Sequence, residues 1–162
     1  MKSFGEIVTF KEFEYVTYYT VHFDGKRLSE ADEFFTLLET LEEPYRESAD
    51  HLVIWLNEIG DKYAADIEFF RAEREAMALP PPAEIMKNDN RVDAIRLYCY
   101  WVSEAIVILF NGGIKTERDP LKCPNVKNHF RNAVRWSKQL DYIGVKSREK
   151  KIINKNQLTI EQ

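Results

Sequence analysis

Four side chains in the second half of the chain could act together: Arg96, Tyr98, Tyr100 and Lys115. Residues 94–102 alternate in character, with Ile95, Leu97, Cys99 and Trp101 on one side and Arg96, Tyr98, Tyr100 and Val102 on the other. That period of two belongs to a β-strand. Residues 105–110 are apolar on both sides, as a central strand should be. A two-residue turn at Ser103-Glu104 sets Arg96 opposite Asn111 and Tyr98 opposite Leu109. Lys115 then shares a face with Arg96, provided no bulge at Gly112-Gly113 shifts the register. Two cations and two phenols on one face could meet a polyanion. Strand arginines more often form ion pairs and strand tyrosines more often pack, so position alone does not make them a site.

The charge of the chain is divided in the same sense. Residues 1–90 carry 9 Lys+Arg against 20 Asp+Glu, and residues 91–162 carry 14 against 7, within a net charge of −4. An acidic half and a basic half leave a basic face for a polyanion unless folding interleaves them. The tail from Lys146, with Arg148, Lys150, Lys151 and Lys155, reads as solvated. Other chemistries find little support. His22 and His51 lack partners at metal-ligand spacing, and His129 sits inside a helical pattern. Cys99 and Cys123 lie in unrelated contexts and read as reduced thiols of a cytoplasmic protein. Neither a Gly-rich phosphate loop, a nucleophile elbow nor a zinc signature is present. The longest apolar run, residues 105–110, is too short to span a membrane, and the first residues offer no apolar stretch for a signal peptide.

The elements that position these residues can be read outward from the hairpin. Ile7, Val8 and Phe10, then Tyr15, Val16, Tyr18, Tyr19, Val21 and Phe23, predict a β-hairpin or two short strands closed by Asp24-Gly25. Ser29 with Asp32 three residues on predicts a helix start, and Phe34, Phe35, Leu37, Leu38 and Leu41 keep helical spacing up to Pro44. Pro44 suits the first turn of a second helix, with Tyr45, Ala49, Leu52, Val53, Leu56 and Ile59 on its apolar face and Gly60 just past its end. A short link predicts an antiparallel helix pair. Residues 66–79 fit helix and strand equally, and Pro80-Pro81-Pro82 breaks either. Val126, Phe130, Ala133, Val134, Ser137 and Leu140 predict an amphipathic helix over residues 126–142. The expected fold is α+β, an N-terminal β-hairpin and a helical hairpin packed on a twisted antiparallel sheet, with a C-terminal helix.

In this order of elements the chain resembles the RelE/ParE superfamily of type II toxins, its RelE and HigB branches above all. The matching segments are Ile95-Arg96-Leu97-Tyr98-Cys99-Tyr100-Trp101 and Ile106-Val107-Ile108-Leu109-Phe110-Asn111-Gly112-Gly113-Ile114-Lys115-Thr116. With the preceding helices the resemblance covers residues 29–142 of a single domain, 1–162. Residues 1–28 are then a β-rich N-terminal extension that the compact toxins lack, and residues 143–162 a basic tail.

What the resemblance implies is endoribonuclease action on mRNA at the ribosome, with no metal or other cofactor. The 2′-hydroxyl attacks the neighbouring phosphate, so the chemistry needs a proton acceptor, cations for the developing charge and a donor for the 5′ oxygen. The resemblance implies that Arg96 neutralises phosphate and that Lys115 and Arg118 fill the basic positions after the apolar strand. It makes a carboxylate of the strand before, Glu73 or Glu75, the acceptor, with Glu73 preferred. It assigns Tyr98 or Tyr100 to stacking on a base, and adds Arg91 to the RNA-binding residues. The implied partners are the ribosome with its mRNA and an antitoxin protein that covers the basic face. Family members often carry a catalytic Tyr or His close behind the last strand. Here Cys123-Pro124 and a long helix holding His129 follow instead. The alternative is a non-catalytic member of the same fold that binds protein or RNA.

Overall fold

Aromatic and β-branched residues build the two strands that open the chain, β1 (Phe4–Glu12) and β2 (Thr17–Phe23). The computed structural model describes residues 3–82 and 94–162, so Arg91 lies outside the described residues. The β1–β2 turn is at residues 13–16, where Phe13 N donates to Val16 O over 2.8 Å. This corrects the expected closure at Asp24-Gly25. That pair instead leads out of β2, with Gly25 in the left-handed region at φ +79°.

Helices follow as expected. In α1 (Glu30–Glu39) the Ser29 hydroxyl accepts from Asp32 N at 3.1 Å, capping the first turn. In α2 (Tyr45–Glu58) Pro44 is the residue before the first turn. Gly60 is not the stop: the helix runs on into a π-helical turn over Ile59–Tyr63. Glycine is required there by contact, because a Cβ on Gly60 would lie 2.4 Å from Phe13 Cγ. The ambiguous stretch resolves into a 3-10 turn, Ile67–Phe69, and a short hairpin, β3 (Arg71–Glu73) and β4 (Ala76–Leu79). Then come β5 (Ile95–Ser103), β6 (Ile106–Ile114), α3 (Lys127–Ile143), β7 (Ser147–Arg148), β8 (Lys151–Ile152) and β9 (Ile160–Glu161).

Seven strands form one sheet in the order β3-β4-β5-β6-β2-β1-β9, antiparallel except where β2 runs parallel to β6. A parallel neighbour demands a long crossover, and α1 and α2 lie within it. The two helices cover one face, where Phe34, Leu38, Ala49, Leu52 and Leu56 meet Leu97, Cys99, Val107 and Leu109. The other face packs against α3, whose Phe130, Ala133, Trp136 and Leu140 meet Tyr98, Ile108 and Phe110. Trp136 packs between Phe23 and Phe110, tilted to the first and edge-on to the second, at 5.1 and 5.4 Å between ring centroids. Among the described residues no helix is long and apolar enough to cross a membrane.

Both ends of the chain belong to this core. β2 is buried along nearly its whole length between β1 and β6, so the expected N-terminal extension supplies, through residues 17–23, a central strand rather than an appendage. The tail is not simply solvated either. β9 pairs with β1, and Ile152, Leu158 and Ile160 are buried. Gln139 of α3 both donates to Glu161 O and accepts from Glu161 N, each at 2.8 Å.

The central hairpin departs from the expected register twice. Its turn is Glu104-Ala105, closed by Ser103 opposite Ile106, and irregularities lie between Trp101 and Ser103 and between Leu97 and Cys99. Cys99 therefore faces Leu109, and Arg96 faces Gly113 instead of Asn111. One slip would reverse the faces of a strand; two restore them at the far end. Gly112 is part of this adjustment, for a Cβ there would lie 1.8 Å from Arg96 O. Gly112→Ala should therefore destabilise the fold by about 1–3 kcal/mol through overpacking. A lower urea midpoint measures this, and an unchanged midpoint would mean the strands have room there.

Candidate active site

Glu73 ends β3, just before the tight turn at Arg74-Glu75 in which Arg74 takes φ +56°. Its side chain rises from the α3 face of the sheet and spans β4 to reach β5. Ala76, opposite Glu73, and Ala78, opposite Tyr98, are small enough to let that happen. Glu73 Oε1 lies 2.5 Å from Lys115 Nζ and accepts from the Tyr98 hydroxyl at 3.3 Å. Oε2 is 3.2 Å from Arg96 Nε, an ion-pair distance without hydrogen-bond alignment. Arg96 also donates from Nη1 to Ile95 O at 3.0 Å. One carboxylate thus stands between two cations, with Glu73 and Arg96 only 7% and 8% exposed. Arg96 and Lys115 rise from the same face, as expected, but through a register that pairs Arg96 with Gly113 and not with Asn111.

The group opens on a cleft of about 670 Å³ lined by Glu73, Arg74, Lys115, Arg118 and Lys122, together with Glu117 and Asp119. Arg118 is exposed at its wall. Arg74 is tied to Asp119 at 3.1 Å, bracing the β3–β4 turn against the loop that follows β6. Cys123 braces that loop from behind, accepting from Thr116 N at 3.3 Å. Burial pushes its thiol up, but hydrogen bonds from Thr116, Glu117 and Asn125 outweigh burial and hold it below its ordinary value.

The other expected members are either closed off from the cleft or placed elsewhere. Tyr98 is fully buried beneath α3, edge-on to Phe130 at 5.9 Å, so its ring is closed to a base. This corrects its expected stacking role. Burial, and then the neighbouring Glu73 charge, push its phenol well up, which keeps it a hydrogen-bond donor to the carboxylate. Tyr100 is half-buried, and its hydroxyl donates to Asp141 of α3 at 2.5 Å. Glu75 lies outside the cluster, exposed and 3.6 Å from Lys138. Arg96 is behind Glu73 and does not line the cleft. Burial pulls the His129 imidazole down, and the charges it feels are those of Glu33 and Lys26.

A second buried carboxyl escaped the sequence reading. Glu30, 5% exposed, is hydrogen-bonded to Glu33 and to Asn111, which the hairpin bulge turns toward α1. Burial first, and then the Glu33 charge, hold its carboxyl up at about 7. The native state therefore binds a proton that the unfolded chain releases near pH 4.5. Stability from this group is lost as pH rises from there through about 7. Glu30→Gln, which cannot ionise, should gain on the wild type in melting temperature between pH 5 and 8. Parallel melting curves across that range would contradict the assignment.

Comparison of the chain with protein-family models, curated proteins and solved structures finds no match in any of the three.

Proposed function

We propose that the chain is a toxin-like endoribonuclease of the RelE/HigB kind that cleaves mRNA on the ribosome without a metal ion. The observation that supports this reading best is Glu73 set between Arg96 and Lys115 at the edge of a cleft of mixed charge that Arg118 and Lys122 also line. These residues, distant in sequence, are those the chemistry asks for. Glu73 accepts the proton of a ribose 2′-hydroxyl, and the 2′ oxygen attacks the adjacent phosphorus. The bond from phosphorus to the 5′ oxygen breaks, and Lys115 gives that oxygen a proton. Arg118, with Arg74 and Lys122, holds flanking phosphates, and Arg96 orients Glu73 and offsets the charge gathering at phosphorus. The products are a 2′,3′-cyclic phosphate and a 5′-hydroxyl end. The proposed partners are the translating ribosome and an antitoxin whose acidic segment covers the cleft.

End-mapping of mRNA on ribosomes incubated with the purified protein tests this, with cyclic phosphate ends expected. If the ribosome is its target, binding should weaken steeply as salt rises, because phosphate contacts release counterions. Affinity that stays flat with ionic strength would point to a protein-docking surface. One observation favours the second reading, a non-catalytic binding module. The α3 helix covers Tyr98, and the Glu73 network is nearly enclosed, as a purely structural ion-pair group would be.

A further inference from the structure

At the opposite end of the sheet lies a separate cleft. It is bounded by the start of β2, the end of β1 and the β7–β8 hairpin, and has a volume of about 290 Å³. Thr17 pairs with Ile106 at one end of β6, whereas Lys115 follows its other end at Ile114. At the usual rise of a strand the two clefts are on the order of 25–30 Å apart. Lys150, Lys151 and Lys155 line it with one acid, Glu12. Lys150 is fixed, donating to Phe13 O at 2.9 Å and lying 3.7 Å from Glu12. Lys155 stands 6.0 Å from the centre of the Tyr19 ring, whose hydroxyl accepts from Ile152 N at 3.1 Å.

The deciding feature is at the wall. Thr17 lines the cleft, is 3% exposed, and its buried hydroxyl has no hydrogen-bond partner among the described residues. A buried hydroxyl is ordinarily satisfied, and Thr17 belongs to the wall of a cleft that Lys150, Lys151 and Lys155 also line. We propose that this cleft binds the phosphoryl group of a small phosphate monoester. Lysine ammoniums supply point charges from several directions, and the Thr17 hydroxyl supplies a directed donor. The space exceeds a bare phosphate, and Tyr19 and Ile152 give it an apolar wall for a small organic group. The proposal is independent of the RNA-cleaving reading.

The test is a titration of the full chain, isotope-labelled for NMR, with phenyl phosphate and with inorganic phosphate in low salt. It is run on the wild type and on Lys115→Ala. Saturable amide shifts at Thr17, Lys151 and Ile152 are expected in both proteins, with phenyl phosphate the tighter ligand. Thr17→Val keeps the shape of the side chain and should retain or raise the melting temperature. It should weaken phenyl phosphate about 10- to 100-fold, the loss of a hydrogen bond to a charged acceptor. Lys151→Ala with Lys155→Ala should weaken it at least as much. No saturable shift at Thr17 up to millimolar ligand, or equal affinity in Thr17→Val, would overturn the proposal. So would an oligoribonucleotide that shifts these amides when phenyl phosphate does not.

Discussion

Glu73→Ala should lower the stability of the fold by about 3–5 kcal/mol, the cost of leaving buried cations without their counter-charge. The Arg96 and Lys115 side chains are only 10% and 11% exposed, and both approach the Glu73 carboxylate. With that carboxylate gone, two like charges face each other in a medium that screens them poorly. The Tyr98 hydroxyl, buried under α3, loses its acceptor as well. Urea unfolding with an unchanged slope measures the loss. Replacing Glu73, Arg96 and Lys115 together by apolar residues of similar size should recover much of it, since the penalty belongs to the orphaned charges. A loss below about 1 kcal/mol for Glu73→Ala would place the group among solvated surface pairs.

On the proposed cleavage, Lys115→Ala should slow the reaction strongly. Lys115 is the cation that both touches Glu73 and lines the cleft, whereas Arg96 touches Glu73 from behind it. Removing one preorganised donor at a site of developing charge typically slows a reaction by about 100- to 1,000-fold. The loss should fall on the rate of cleavage at saturating ribosomes, with binding much less affected, because charge builds only in the transition state. Single-turnover cleavage of ribosome-bound mRNA separates the two. A variant that binds tenfold more weakly yet cleaves at the wild-type rate would make Lys115 a docking residue.

Much of the architecture was legible because it rests on periodicity. The alternation of residues 94–102, the Ser29 cap and the apolar stripe of α3 are local signals, and each gave the right element. Layer order was partly legible: the acidic helices α1 and α2 lie across the sheet from Arg96 and Lys115. What the sequence hid depends on distant partners. Nothing near β2 says that β6 will run beside it, so the opening strands read as an extension. Nothing near Ile152, Leu158 or Ile160 says that the tail returns to the core under a run of lysines.

The candidate site was legible in its residue types but not in its enclosure. Arg96, Lys115 and Glu73 were expected together, and they meet. The local signal that joins them is the alternation of Ala76 and Ala78 on β4, the small residues over which a glutamate reaches from the edge strand. The burial of Tyr98 is not legible, because a strand tyrosine reads the same whether its face is open or covered by a helix that comes later in the chain. Asn111 joined Glu30 through a bulge that no alternation pattern encodes.

Ends of mRNA recovered from translating ribosomes, treated with the wild-type protein or with Glu73→Gln, test the proposed chemistry most directly. Glu73→Gln keeps the size of the side chain, and its melting temperature is recorded so that only folded protein is compared. Wild type should leave 2′,3′-cyclic phosphate and 5′-hydroxyl ends at discrete positions, and the folded variant should leave the message intact. Intact mRNA with the wild type, or the same cuts from both proteins, would contradict Glu73 as the proton acceptor of an RNA-cleaving site.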